Sequence, residues 1–261
     1  MTLFLPKPLS QFFSKATLRK VPEVIVIFWL IKLLTTAMGE STSDFLVHVL
    51  DPVIAVAIGA IGFAIAIVLQ FSVRKYVAWI YWFTVTMVAI FGTMAADVIH
   101  IGLGVPYLYS TIFFLIALGI IFILWYASEK TLSIHSITNR RRECFYWATV
   151  LATFALGTAA GDMTATTLGL GYLDSGILFA ALFLLAAVAW KFFKFNAIIT
   201  FWFAYIMTRP FGASFADWFG RTSDLGGVGF GTGKTSIVLG ILIVIFVIYL
   251  TVTKKDIKDK Q

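Results

Sequence analysis

The chain has 261 residues, of which 60% are hydrophobic and only 13% charged, with a mean hydropathy of +0.95. That is about half the charged fraction of a soluble domain, so water is excluded as the solvent for most of the surface and the bilayer replaces the usual core argument. The net charge of +7 follows the loop pattern given below and carries no nucleic-acid signal.

Residues 1–20 place Lys7, Lys15, Arg19 and Lys20 among Leu5, Leu9, Phe12, Phe13 and Leu18. They lack the long apolar run and small-residue cleavage site of a signal peptide, and read as a short basic amphipathic segment or a tail. Residues 21–253 form a single membrane domain. Apolar runs follow near Val24–Met38, Val53–Val73, Val77–Ile99, Leu108–Tyr126, Phe145–Ala160, Gly176–Phe193, Ala197–Met207 and Ile237–Thr253. Several fall short of the ~20 residues a span needs, and the odd-numbered ones are extended through helix-compatible polar flanks. The seventh is the weakest, because Arg209-Pro210 predicts a broken or kinked helix there. Residues 254–261 are a basic tail. The expected class is all-α, a polytopic membrane protein of about eight transmembrane helices.

Charge sets the orientation. The basic clusters are the N-terminal segment, Arg74-Lys75, Lys130 with Arg140-Arg141-Arg142, Lys191 with Lys194, and the C-terminal tail. With eight spans all five fall on one side, which predicts a plasma (inner) membrane protein with both termini cytoplasmic. Cys144 is the single cysteine, which excludes an intrachain disulfide and a thiolate metal cluster.

Four tryptophans each have a glycine ten residues later and an aspartate fifteen residues later: Trp29/Gly39/Asp44, Trp82/Gly92/Asp97, Trp147/Gly157/Asp162 and Trp202/Gly212/Asp217. Chance supplies roughly 0.02 such matches in a chain of this composition, so the pattern is an internal repeat. The copies are approximately 21–73, 74–129, 140–194 and 195–253, with room for one helical hairpin each. An even number of spans separates equivalent residues, so the repeats are parallel. They predict a pseudosymmetric bundle, either fourfold or two twofold pairs. The Trp reads as an interfacial ring and the Gly as a close helix contact. The Asp lies about 22 Å further along the helix, toward the outer side. Even-numbered spans carry few polar groups and are expected to face lipid, with the odd-numbered ones forming a polar interior. In these features the chain resembles a family of bacterial membrane proteins built from a tandem repeat of unknown function, with four copies, two spans per copy and a characteristic tryptophan. The resemblance covers nearly the whole chain and implies the architecture, not the chemistry.

Steps of four residues back from each Asp trace a polar stripe. The stripes are Lys32, Thr36, Glu40, Asp44 and His48; Thr93 and Asp97, with His100 beyond; Thr158, Asp162 and Thr166; and Arg209, Ala213 and Asp217. Four such helices would bring five carboxylates against Lys32 and Arg209, and intramembrane acids at this density point to a functional site. The expected metal ligands are Glu40, Asp44, Asp97, His100, Asp162 and Asp217. The expected substrate or coupling residues are Thr36, Thr93, Thr158, Arg209 and Lys32, with Arg209 holding Asp217 or acting as an internal cation. Oxygen donors with one or two imidazoles suit a hard or borderline divalent ion such as Mn²⁺. In the competing reading the aspartates cap the starts of outer connections. His48 reads as exposed loop.

Gly229 to Thr235 imitates a phosphate loop but has Val228 where the first glycine belongs. The Gly-x-Gly pairs at 102–104, 169–171 and 227–229 read as turn glycines. The expected function is therefore a secondary transporter of a small cation, proton-coupled, and not an enzyme. A small organic solute transporter, or a sensor or assembly protein with a structural polar core, is the alternative. No resident cofactor and no nucleic-acid partner is expected. The partners are the bilayer and the cation or solute, and the oligomeric state is left open.

Overall fold

The computed structural model describes residues 19–257, so the greater part of the N-terminal segment and the end of the basic tail lie outside the described residues. Eight α-helices and no strands occur among the described residues. They are α1 (Val26–Val49), α2 (Pro52–Ser72), α3 (Ala78–Asp97), α4 (Tyr107–Glu129), α5 (Arg140–Asp162), α6 (Gly171–Phe193), α7 (Ala197–Gly220) and α8 (Thr232–Thr253). A π-helical turn prolongs α3 over Val98–Gly102 and α5 over Met163–Thr167. Six of the helices are long and apolar enough to cross a membrane. The other two, α1 and α7, have 24 residues each and carry Lys32, Glu40 and Asp44, and Arg209 and Asp217.

Of the broken or kinked helix expected at Pro210, the break is absent, and α7 is continuous through the proline. Proline removes one backbone hydrogen bond and crowds the preceding turn. Here its ring packs on Gly157 and Gly161 of α5, whose missing side chains leave room for it.

The odd-numbered helices form the inner ring. α1 packs against α3 and α7, and α5 packs against the same two. Each even-numbered helix lies on the odd helix of the next repeat: α2 on α3, α4 on α5, α6 on α7, and α8 back on α1. The arrangement is cyclic, which selects the pseudo-fourfold bundle over two twofold pairs. The motif glycines make that ring close. A Cβ would lie under 3.0 Å from Ala89 at Gly39, from Phe154 at Gly92, from Arg209 and Pro210 at Gly157, and from Thr36 at Gly212. Each glycine therefore admits the odd helix of the following repeat, and the fourth admits the first.

The outer helices bury little. α2 buries Ala55, Gly59, Ala66 and Gln70, and α6 buries Ser175, Gly176, Phe179 and Ala186. Many of their other apolar side chains, such as Val53, Ile61, Leu184 and Leu185, are exposed, as a lipid-facing surface requires.

The tryptophan end is closed by a second ring, and here the interfacial reading of the motif tryptophans is corrected. Trp82, Trp147 and Trp202 are buried inside the bundle. An aromatic residue precedes each motif tryptophan, and it packs on the tryptophan of the next repeat. Ring centroids are 5.5 Å apart for Phe28–Trp82, 5.6 Å for Tyr81–Trp147, 6.2 Å for Tyr146–Trp202 and 5.6 Å for Phe201–Trp29. Close ring pairs add to the energy of burial, so this circuit is preferred to a lipid-facing belt. Trp202 Nε1 also donates to the Leu132 carbonyl at 2.9 Å.

Residues 19–23 lie across the same end. The Lys20 amide donates to the Ile137 carbonyl, the Tyr76 amide to the Arg19 carbonyl, and the Glu23 amide to the Asp256 carbonyl. The buried Lys20 ammonium pairs with Glu143 of α5, which also accepts from Gln70 of α2 at 2.9 Å.

Candidate functional site

The repeat period converts into layers along the bundle axis, because equivalent residues of four helices stand at the same height. The residue three after each motif tryptophan is Lys32, Val85, Val150 or Tyr205, all buried. The residue seven after is Thr36, Ala89, Phe154 or Arg209, again all buried. The residue eleven after is Glu40, Thr93, Thr158 or Ala213, also buried. The aspartates form the fourth layer, where Asp217 is buried and Asp44, Asp97 and Asp162 are half-buried. Polarity and access to solvent therefore both rise toward the aspartate end.

Arg209 reaches from its own layer into the next. Its Nη2 donates to the Glu40 carboxylate and to the hydroxyls of Thr93 and Thr158, the latter at 2.8 Å, while Nη1 lies 3.4 Å from the Thr36 carbonyl. All three other repeats thus contribute to one guanidinium, and Ala213 in the arginine's own helix completes the layer without a donor or acceptor. The expected pair between Arg209 and Asp217 is not formed. Asp217 lies eight residues beyond Arg209, two turns up the same helix, whereas Glu40 faces Arg209 from the adjacent α1.

Lys32 has no such partner. Its Nζ is buried, donates no hydrogen bond to any described residue, and lies 3.9 Å from the ring centroid of Phe154 and 4.3 Å from that of Tyr205. The Arg209 guanidinium carbon lies 5.5 Å from the same Phe154 centroid. One aromatic ring therefore contacts both buried basic groups.

Three carboxylates converge above Arg209. Glu40, Asp162 and Asp217 each offer an oxygen, and these atoms all lie within 4.8 Å of one another. They come from α1, α5 and α7. A single ion bound at about 2.3–2.6 Å to each oxygen spans up to about 5 Å between donors, so one divalent ion fits this group. Asp44 and Asp97 share the layer but not the group. His100, buried in the π-helical turn, is directed to α4: its Nδ1 lies 3.0 Å from Ser110 Oγ and its ring 4.4 Å from that of Tyr107. The three-carboxylate group contains no imidazole. His48 is exposed, with Nδ1 2.6 Å from the Asp44 carbonyl, and Thr166 is exposed with its hydroxyl on the Asp162 carbonyl.

The aspartate end holds a second arginine that the stripe pattern did not select. Arg221 follows α7, and its Nη2 lies 3.0 Å from Asp44 Oδ2 while its Nε donates to Asp217 Oδ1 at 3.0 Å. Its guanidinium carbon lies 5.4 Å from the Tyr172 ring centroid. Burial alone would lower its proton affinity, but the Asp217 and Asp44 carboxylates hold the guanidinium well above its ordinary range. The four-residue spacing from Asp217 was the signal that could have found it. Asp97 and Asp162 have no ion pair among the described residues, and each directly precedes one of the two π-helical turns, a distortion frequent at functional sites.

The model of a family described as Repeat of Unknown Function (DUF347) matches four segments, residues 27–76, 80–131, 145–196 and 200–256. These cover most of the chain, and the protein belongs to that family. No curated protein and no solved structure matches it significantly.

Proposed function

We propose that this protein is a secondary transporter of a small cation, a divalent metal such as Mn²⁺ in the first instance, exchanged for protons. The observation that carries the reading is the convergence of Glu40, Asp162 and Asp217 from three repeats within 4.8 Å, at the partly solvated end of a ring of helices. Five acids face two arginines there, an excess of negative charge that a divalent ion or protons would relieve. In this reading Glu40, Asp162 and Asp217 bind the ion, and Asp97 and Asp44 carry it to the site or exchange protons. Arg209 acts as an internal cation that neutralises Glu40 when no cargo is bound. All eight helices span the plasma membrane, both termini are cytoplasmic, and the aspartate end faces outward. The one-sided basic loops support that orientation.

A second reading has its own observation. The buried basic groups Lys32 and Arg209 stand beneath the carboxylates, and the fixed positive charge of the Arg209 guanidinium opposes passage of a further cation. That arrangement favours a sensor, which binds the ion without moving it.

Flux into proteoliposomes separates the two. Mn²⁺ uptake with an internal pH response, abolished by Asp162→Asn and reduced by Asp97→Asn, is the outcome expected of a transporter. Mn²⁺ binding by folded protein without flux would establish the sensor, and absence of both would remove the metal from the account.

A further inference from the structure

Arg221 differs from Arg209 in how it is held. The Arg209 side chain is buried, whereas that of Arg221 is 26% exposed, more than either of its partners, Asp44 at 12% and Asp217 at 3%. Its backbone, in contrast, is clamped. The Arg221 amide donates to the Asp217 carbonyl, its carbonyl accepts from the Gly229 amide at 2.8 Å, and the following loop is tied down by Val228 to Trp218 and Phe230 to Phe219. Gly227 passes so close that a Cβ there would lie under 3.0 Å from the Arg221 carbonyl group. The main chain at this point is held by backbone hydrogen bonds, whereas the side chain is held only by its two carboxylate partners and the Tyr172 ring. That side chain bridges α1 to α7 through Asp44 and Asp217, and Asp217 belongs to the three-carboxylate group.

We infer that the Arg221 side chain is the outer gate of the carboxylate site, closing it by bridging Asp44 and Asp217 across the face of Tyr172 and opening it by side-chain rotation alone. The inference rests on the cation-binding reading above and assigns that site its regulation. The guanidinium occupies the position from which an arriving cation would approach Asp217, so cargo and gate compete for the same carboxylate. Displaced, the guanidinium swings outward into solvent, where it is fully hydrated. Tyr172 stabilises the closed position, since a planar cation stacks on its ring. The gate also discriminates. A cation of low charge density gains less from Asp217 than the two-carboxylate guanidinium already does, whereas a divalent ion gains more.

Two measurements on the full chain test this. The first is Mn²⁺ affinity by titration of purified protein. Arg221→Gln removes the competing charge, and binding is expected to tighten by about tenfold or more. Gly227→Ala retains the arginine but displaces its backbone, and is expected to tighten binding in the same direction. The second needs no metal. With Cys144→Ser as background, Ala213→Cys places a thiol one turn beneath Asp217, and its rate of modification by a small, membrane-impermeant cationic thiol reagent is read in proteoliposomes. Both gate variants are expected to label faster than the parent. Unchanged labelling in Arg221→Gln would overturn the gate whatever the metal result, and so would Mn²⁺ binding of unchanged or lower affinity. Faster labelling with no Mn²⁺ binding by any variant would sustain the gate and overturn the metal reading instead.

Discussion

Replacing Arg209 by methionine leaves the Glu40 carboxylate, whose side chain is only 3% exposed, without the one cation that pairs with it. Breaking a buried ion pair from one side costs about 3–5 kcal/mol, because the remaining charge cannot recover its hydration. Glu40→Gln is the milder lesion. It removes the carboxylate, yet Arg209 keeps the hydroxyls of Thr93 and Thr158 and the Thr36 carbonyl. Each such charge-assisted hydrogen bond is worth about 1.5–3 kcal/mol, so the loss should stay below that of Arg209→Met. The double variant removes both charges, and methionine fills much of the vacated volume. It should therefore be more stable than Arg209→Met alone, with a coupling energy of at least about 1.5 kcal/mol. Reversible unfolding in mixed micelles, followed by tryptophan fluorescence, gives the cycle. Effects that add to within about 0.5 kcal/mol would refute the pairing, since independent sites behave that way.

Three further outcomes follow from the packing and the tryptophan end. Gly212→Val forces α7 away from Thr36 of α1 and opens the last joint of the ring, with a loss of about 1–3 kcal/mol or more; an unchanged unfolding midpoint would show the joint to be loose. Lys20→Met strands the fully buried Glu143 with Gln70 as its remaining partner. It should destabilise the protein more than Lys20→Met combined with Glu143→Gln, read by the same unfolding assay. Tyr76 donates to Asp256, and burial, reinforced by that carboxylate, pushes its hydroxyl well above the ordinary phenol range. A folded pKa raised above the unfolded value of about 10 gives stability that is fully present below pH ~10 and lost as pH rises beyond it. Tyr76→Phe should therefore flatten the alkaline fall in stability, and a slope unchanged from wild type would reject the assignment.

The repeat made most of this architecture legible, because a fixed interval from Trp to Gly to Asp survives in all four copies. It placed the acids on the ring-forming helices and the plain apolar spans outside. Relations between copies were not legible. The pairing of Arg209 with Glu40 depends on α7 lying beside α1, a neighbourhood created by ring closure and absent from any helical stripe. The tryptophans were misread for a related reason: amphipathic rings near a span end resemble an interfacial belt, and the clue to the inward circuit was the aromatic residue before each of them. Arg221 stands four residues after Asp217, at the offset of His48 and Thr166 from their aspartates, but the fourth stripe stops at Asp217, and a basic side chain just beyond α7 looks like an ordinary outer-loop charge. His100 was drawn to the acids by its spacing from Asp97, but the π-helical turn directs it to Ser110 instead.

The circuit of glycine contacts has a consequence for how such a molecule could arise. Each hairpin presents the same socket to its successor, and the fourth presents it to the first, which is the geometry of a closed homotetramer of hairpins. A true homotetramer of the fourth hairpin, however, would place four guanidinium groups at the height of Arg209, and one of the first hairpin four amines at the height of Lys32; crowding like groups in either way would oppose closure of the ring. Joining the hairpins in one polypeptide removes that penalty. A single quadrant can then acquire an arginine while its neighbours supply Glu40, Thr93 and Thr158. Covalent fusion is thus what permits an off-centre charge inside a symmetric frame, and with it a site that has one preferred direction of approach.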